Sequence, residues 1–473
     1  MARVVTANDV PRAPSSLEAP SPASPLCAAP LQLERVALRD AQRGWTWREI
    51  HACADALSQK FEHGATLCNL CHSRLGFLIT WLAALRRSCV QLLPPSGGDA
   101  DLGAMLASCA EPLIVIDDES LRSPHWPAHA ASMVYRPQPV PCRDDAVLRW
   151  LPPWDEPLLR LYTSGSTGVP QVQVKTLRQF ERGARVLGAR LAQDVDLASI
   201  DALVCSVPPQ HMFGVEASTM LSLVHGLPLL DGRPLLPADV NAALERCGRA
   251  GLWITTPLHL RAIVQARQRV PNCALVVSST MPLSAALAAQ AEALVGAPVL
   301  EVYGSTETGA VATRRSVRDS RWRPVDGVRL EAQPGRTRVW GSHFDSPRDL
   351  ADEIEPAGDG FILLGRQADM VKIGGRRASL AGLNLLLAEM PGLEDGVFYL
   401  PTSKALDQRL VLIHAGASID RARADAWLLQ RIDPVFLPRS WIQVDRLPRS
   451  GNGKLTRQAL DELYAAWRAG RRT

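Results

Sequence analysis

LYTSGSTGVPQVQVKT, residues 161–176, is the stretch on which the reading of this chain turns. The apolar run LLRLY (158–162) leads into it, and six of the seven residues from Thr163 to Val169 are Ser, Thr or Gly. An apolar strand ending in a small, hydroxyl-rich loop fits an α/β sheet, where ligands bind beyond the carboxyl ends of strands. Gly165 and Gly168 allow close backbone approach, and the hydroxyls of Thr163, Ser164, Ser166 and Thr167 suit phosphate oxygens. The loop is not a Walker A sequence, because Gly168 is followed by Val169 and Pro170 instead of Lys and Ser/Thr. The cation that completes such a site therefore has to come from elsewhere, and the next lysine is Lys175.

The same pattern recurs along the chain. ALVCSVPP (202–209) precedes QHMFG, GLWITT (251–256) leads into a helix starting near Pro257, ALVVSST (274–280) precedes the helical MPLSAALAAQAEALV, and PVLEVY (298–303) precedes GSTETG. Upstream, WTWREIHACADALSQKF (45–61) has helical spacing, LGFLITWLAALRR (75–87) reads as a buried helix, and EPLIVIDD (111–118) is a short strand. One loop of this kind is only a turn; several in series imply one site assembled from them. Beyond residue 330 the texture changes to hairpins, RTRVWGSHF (336–344) and GFILLGRQADMVKIGG (360–375). A small α+β unit follows, with helices over 421–432 and 455–470 around the strand WIQVDRLP (441–448). The expected class is α/β: a large N-terminal domain of layered sheets and helices (27–366) and a small mobile α+β C-terminal domain (367–473), after a Pro/Ala/Ser-rich disordered leader (1–26).

The chain has 473 residues, 47% hydrophobic, with a net charge of +4. That charge is small for the length and makes no case for nucleic acid. Ten cysteines are scattered, and Cys68–Cys71 is a C-x-x-C without the second pair or His partner of a zinc site. The longest apolar stretch, near 76–85, is too short to span a bilayer. Scattered free thiols and the lack of a signal pattern imply a cytoplasmic protein.

Lysine occurs only at 60, 175, 372, 404 and 454, the other basic residues being Arg. Where Arg is the default cation, a lysine marks a place that calls for a compact ammonium. Lys454 lies in LPRSGNGKLTRQAL (447–460), between a glycine-rich turn and a helix, a placement suited to activating a phosphoryl or carboxyl group. In EVYGSTETG (301–309), Tyr303 suits a purine, Thr306 a phosphate and Glu307 a magnesium ion.

These three motifs, in this order and at these intervals, resemble the adenylate-forming superfamily of acyl-CoA synthetases, luciferases and carrier-protein-loading adenylation domains. VPPQHMFG (207–214), SSTMPLS (278–284) and GRQADMVKIGGRR (365–377) resemble that superfamily's substrate-side segment, adenine-side loop and hinge. The resemblance covers nearly the whole chain after the leader. It implies a two-step reaction: a carboxylate attacks the α-phosphate of ATP, releasing pyrophosphate, and a thiol of CoA or of a carrier-protein phosphopantetheine then displaces AMP. By the same resemblance Thr163, Ser164, Gly165, Ser166, Thr167 and Gly168 hold the β- and γ-phosphates, and Tyr303 stacks on adenine with Gly304 beside it. Thr306 touches the α-phosphate, Glu307 binds Mg²⁺, and Arg366 contacts the ribose or phosphate side. His211 flanks the acyl pocket, and Lys454 bridges the reacting carboxylate and α-phosphate.

This sequence departs from the pattern in places. The loop lysine usual after the proline is Gln171, so either Lys175 replaces it or the position is dispensable, the latter being preferred. The ribose-binding carboxylate is chosen as Asp352 over Asp349 and Asp359, from its spacing to Gly365-Arg366. The hinge position two residues after Arg366 is Ala368, beside Asp369. HMFGVEAS (211–218) lacks the Asp that pairs an amino-acid substrate's ammonium, although Glu216 is near, so aryl or acyl acids are expected. The short N-terminal region looks like the compact bacterial AMP-ligases of polyketide, fatty-acid or aryl-polyene pathways. The alternatives are an adenylate former with a non-thiol acceptor and an inactive nucleotide-binding relative.

Overall fold

The computed structural model describes residues 3–6, 33–94, 99–142, 150–163, 171–333, 335–366, 369–387, 389–401, 409–448, 455 and 457–470. Two large sheets form its body. In one, the order is Ala131–Val134, Leu113–Ile116, Thr66–Asn69, Val90–Leu93, Leu159–Thr163 and Gln171–Lys175, all parallel except the last, which returns antiparallel on Leu159–Thr163. The other has nine strands. Its parallel centre is Val299–Ser305, Cys273–Ser278, Gly251–Thr255, Ala202–Cys205, Leu229–Leu230 and Val36–Arg39, with antiparallel strands at both ends.

Helices fill the space between the sheets. From Arg74 to Leu85 every residue of the helix Arg74–Arg86 is buried, as expected of a helix apolar all round. Phe77 and Trp81 stack, and Phe180 from the helix Leu177–Leu191 meets Trp81 edge-on, in one core with strand residues from both sheets. Capping boxes start two helices: Thr46 with Glu49 for Trp47–Ser58, and Thr176 with Gln179 for Leu177–Leu191. The outer face of the nine-stranded sheet is covered by Pro237–Glu245, Pro257–Ala266 and Ala285–Val295. Toward the C-terminus, Asp395–Tyr399, Val411–Ala415 and Ser440–Val444 form a three-stranded sheet with its own cores, packed on Leu380–Leu387, Arg421–Leu429 and Arg457–Gly470.

Two expectations need correction. The leader is not wholly without structure: Arg3–Thr6 is a strand, antiparallel to Arg329–Gln333, with Val5 opposite Leu330. Its β-branched residues have a partner more than three hundred residues away, so local composition hid it. The HMFG stretch is also not a loop. His211 is the N-cap of a helix that runs through Met212–Gly214, a π-type segment Val215–Met220 and Leu221–His225, ending at Gly226 with φ 67°. Wide segments of this kind often mark functional positions. Among the described residues, no helix is long and apolar enough to cross a membrane.

Candidate active site

The carboxyl ends of the central parallel strands bring the quoted segments to one edge. Val299–Ser305 turns at Ser305–Gly309 and returns antiparallel as Gly309–Arg314. Ser305 N donates to Thr308 Oγ1 at 3.2 Å, and Thr308 Oγ1 donates to Gly309 O at 2.9 Å, so the turn is held by its own hydroxyls. Gly304 is required by its surroundings: a Cβ there would stand 2.1 Å from Gly309 O. Thr306 and Glu307 are half-buried in this turn.

Beside it lies a polar group built on Tyr303. The phenol donates to Asp352 Oδ2 at 2.9 Å, while the ring packs against Trp322 (centroids 5.6 Å) and Phe361 (6.1 Å). Asp352 and Arg366 are cross-strand partners on Asp352–Ala357 and Gly360–Arg366. Burial pushes the Asp352 carboxyl up, against the opposing pull of the Tyr303 hydrogen bond and the Arg366 charge. The other carboxylates considered from spacing are engaged elsewhere: Asp349 with Arg336 and Arg338, Asp359 with Arg321 and Arg323. Next to Arg366, Gly365 has φ +118°, and a Cβ there would meet Ser379 Oγ at 2.1 Å, so this strand end fits only glycine.

Behind the turn is a buried network that sequence reasoning did not assemble. Lys175, only 5% exposed, donates from Nζ to the carbonyl oxygen of Glu307 at 2.9 Å. Glu216, on the π-type segment, accepts from Ala310 N at 3.4 Å. His343 Nε2 lies 2.9 Å from Ala310 O. Burial pushes the Lys175 ammonium down and the Glu216 carboxyl up, and each charge pulls the other back. Burial, then the charge of Lys175, holds His343 down to about 4. The signals were a rare lysine, a lone carboxylate in the apolar run HMFGVEASTM, and Gly183 inside a helix. The Glu216 carboxylate is thus directed at Ala310 and the Lys175 charge, not open for a substrate ammonium.

The structure therefore gathers Tyr303, Gly304, Thr306, Glu307, Asp352 and Arg366 on neighbouring strand ends. His211, at the N-cap of the adjoining helix, leads into Met212 and Glu216, which pack together with Lys175, Thr308 and His343. Thr163 closes its strand opposite Gln171. Ser164, Gly165, Ser166, Thr167, Gly168 and Lys454 lie outside the described residues, as does Ala368. Leu455, next to Lys454, packs on the core formed by Leu447 and Leu460.

This architecture is that of the adenylate-forming enzymes. The o-succinylbenzoate CoA synthetase of Bacillus subtilis, solved with its acyl-adenylate intermediate, superposes with a TM-score of 0.79 at 17% identity, over 92% of this chain and 98% of that one. Residues 28–332 match the AMP-binding enzyme family, and the chain belongs to it. Among its relatives, a 4-coumarate–CoA ligase of Rhodobacter capsulatus is 30% identical over 299 residues, 62% of this chain and 73% of that protein. A p-hydroxybenzoic acid–AMP ligase of Mycobacterium tuberculosis is 25% identical over 428 residues, 80% of this chain and 59% of that protein.

Proposed function

We propose that this chain is an AMP-forming acid–thiol ligase that activates an aryl or acyl carboxylic acid with MgATP and passes the acyl group to the thiol of CoA or of a carrier-protein phosphopantetheine. The observation that carries the reading is the rigid Thr306–Glu307 turn beside Tyr303, Asp352 and Arg366, in a chain of the AMP-binding family. The kinship to a 4-coumarate–CoA ligase and a p-hydroxybenzoic acid–AMP ligase supports an aryl acid.

The chemistry asks two anions to meet. A carboxylate oxygen bonds to the α-phosphorus, and the bond from that phosphorus to the departing pyrophosphate breaks. The thiol sulfur then bonds to the acyl carbon, its proton is lost, and AMP leaves. Glu307 offers a hard oxygen on a turn fixed from below by Lys175, the kind of donor a magnesium ion takes. That ion, entering with ATP, offsets phosphate charge. Thr306 would donate to the α-phosphate, Arg366 and Asp352 would hold the ribose side, and Tyr303 would present its ring to adenine. The residues 163–168 would hold the β- and γ-phosphates, and His211 would border the acid. Lys454 would stand between carboxylate and α-phosphate, neutralising charge as it develops. The chain is best divided near Arg366, so that residues 367–473 swing Lys454 away before the thiol enters.

The test is ATP–pyrophosphate exchange across a panel of aryl and medium-chain acids, followed by trapping with CoA and with holo carrier protein. Exchange with at least one such acid is expected, with a loss of about 100-fold or more in Lys454→Ala. A Lys454→Ala rate equal to the parent's would sink the catalytic assignment. Release of the acyl group to neither thiol would leave the protein an adenylate former with another acceptor.

A further inference from the structure

We infer that Lys175 and Glu216 are positioning residues for Glu307, an inference that rests on the assignment of Glu307 to the magnesium ion of MgATP. The backbone of the turn Ser305–Gly309 is held at Glu307 by Lys175, and the residue that follows it, Ala310, is held by Glu216 and His343, so side chains from three separate segments fix the turn and its exit. Lys175 Nζ holds Glu307 O at 2.9 Å, Glu216 Oε1 accepts from Ala310 N at 3.4 Å, and His343 Nε2 lies 2.9 Å from Ala310 O.

Several local choices make sense only with this arrangement. In the strand Gln171–Lys175, Val172 and Val174 are 44% and 49% exposed while Lys175 is buried, the reverse of the usual alternation. The strand gives two valines to solvent and turns an ammonium inward. Glu216 occupies a slot between two glycines: a Cβ on Gly183 would stand 2.6 Å from its Oε1, and one on Gly309 2.5 Å from the same atom. Gly309 also has φ +73°, the left-handed conformation. A glycine inside the helix Leu177–Leu191 and one at the end of the catalytic turn thus both make room for one carboxylate.

The physical consequence is a fixed turn. Lys175 ends the strand Gln171–Lys175, which begins where the segment 164–170 stops, so one strand runs from the expected phosphate loop to the Glu307 backbone. Glu216 supplies the negative charge that keeps the Lys175 ammonium in a buried place. Small displacements of a liganding oxygen cost much in a site that works by orientation. Lys175 thus does not take the place left by Gln171 on a phosphate; its ammonium is committed to the carbonyl beneath Glu307.

The experiment compares Lys175→Met, Glu216→Gln and the charge-neutral double variant K175M/E216Q in the full-length chain, with Glu307→Gln as reference. ATP binding is measured by calorimetry over a Mg²⁺ titration, alongside pyrophosphate exchange and thermal melting. Each positioning variant is expected to raise the Mg²⁺ concentration for half-maximal ATP binding about fivefold or more. The exchange kcat is expected to fall about 10- to 100-fold, with KM for the acid little changed. If either single variant does not fold, the double variant, which leaves neither buried charge without its partner, carries the test. Folded variants with the parent's Mg²⁺ dependence overturn the inference. If Glu307→Gln itself keeps the parent's Mg²⁺ dependence, the assignment of Glu307 fails instead, and the two failures are told apart.

Discussion

Replacing Gly183 by alanine sets two effects of opposite sign against each other. The residue lies inside the helix Leu177–Leu191, where the change from glycine to alanine by itself stabilises by about 1 kcal/mol. The structure opposes this. The new Cβ would be 2.6 Å from Glu216 Oε1 and 3.6 Å from its Cδ. A side-chain end usually steps aside, but this one is confined, because the backbone of Gly309 bounds it on the other side. Overpacking of this kind costs about 1–3 kcal/mol. Displacing the carboxylate from Ala310 N–H adds about 0.5–1.5 kcal/mol. The expected sum is a loss of about 0.5–3.5 kcal/mol, against the gain that helix propensity alone would give. Urea unfolding followed by tryptophan fluorescence reads the sign directly. Glu216→Asp, with its shorter arm, should relieve the contact, so the double variant G183A/E216D should show a coupling of about 1 kcal/mol. A stabilised Gly183→Ala protein, or additive single changes, would refute the reasoning.

Three further outcomes follow from other contacts. Arg74 is 1% exposed and donates from Nη2 to the carbonyls of Cys205 and Val207, both at 2.7 Å, so Arg74→Met should cost about 3 kcal/mol or more in a denaturant melt. Tyr303→Phe removes the hydrogen bond to Asp352 while keeping the ring. It should raise KM for ATP several-fold and destabilise by about 1–2 kcal/mol, whereas an unchanged KM would remove Tyr303–Asp352 from the nucleotide side. Acid should destabilise the protein through His343. Its ring is held at about 4 in the fold, against an ordinary value of 6.5, so between those pH values the unfolded chain binds a proton that the native one does not. Stability then falls as pH drops from 6.5 to 4, by up to about 1.4 kcal/mol per unit for this group, and His343→Gln should lessen that slope.

Elements governed by local chemistry were legible in the sequence. The helix Trp47–Ser58 showed in the apolar spacing of 45–61, and the buried helix Arg74–Arg86 in an unbroken apolar run. The parallel strands showed as short apolar runs ending in hydroxyl-rich loops, among them the strand Val299–Ser305. What stayed hidden depended on distant partners. Arg3–Thr6 is a strand only because Arg329–Gln333 offers it an edge. Lys175 stands as an alternative phosphate cation in the sequence because it is the next lysine after Gln171; the distant Glu307 carbonyl that takes its ammonium is not visible there. Glu216 looked like a neighbour of the acid pocket until the distant Ala310 and Lys175 claimed it. Spacing singles out Asp352 among three carboxylates, and the structure sets it on Tyr303 while Asp349 and Asp359 are paired with arginines.

The strand order has a consequence for how the chain is made. Val36–Arg39 pairs with Leu229–Leu230, and Leu38 lies opposite Leu229. The nine-stranded sheet is begun over 36–46, left while the other sheet is laid down, and resumed only at Ala202–Cys205. On a ribosome adding about 5–20 residues per second, that first strand waits on the order of ten seconds or more for its parallel neighbour. Arg3–Thr6 waits longer still, until Arg329–Gln333 has emerged. No prefix of the chain ending before residue 229 can complete either edge, so truncations there should yield insoluble product, not a smaller folded piece. The residues of the C-terminal cores are synthesised only after every strand of both large sheets has been made.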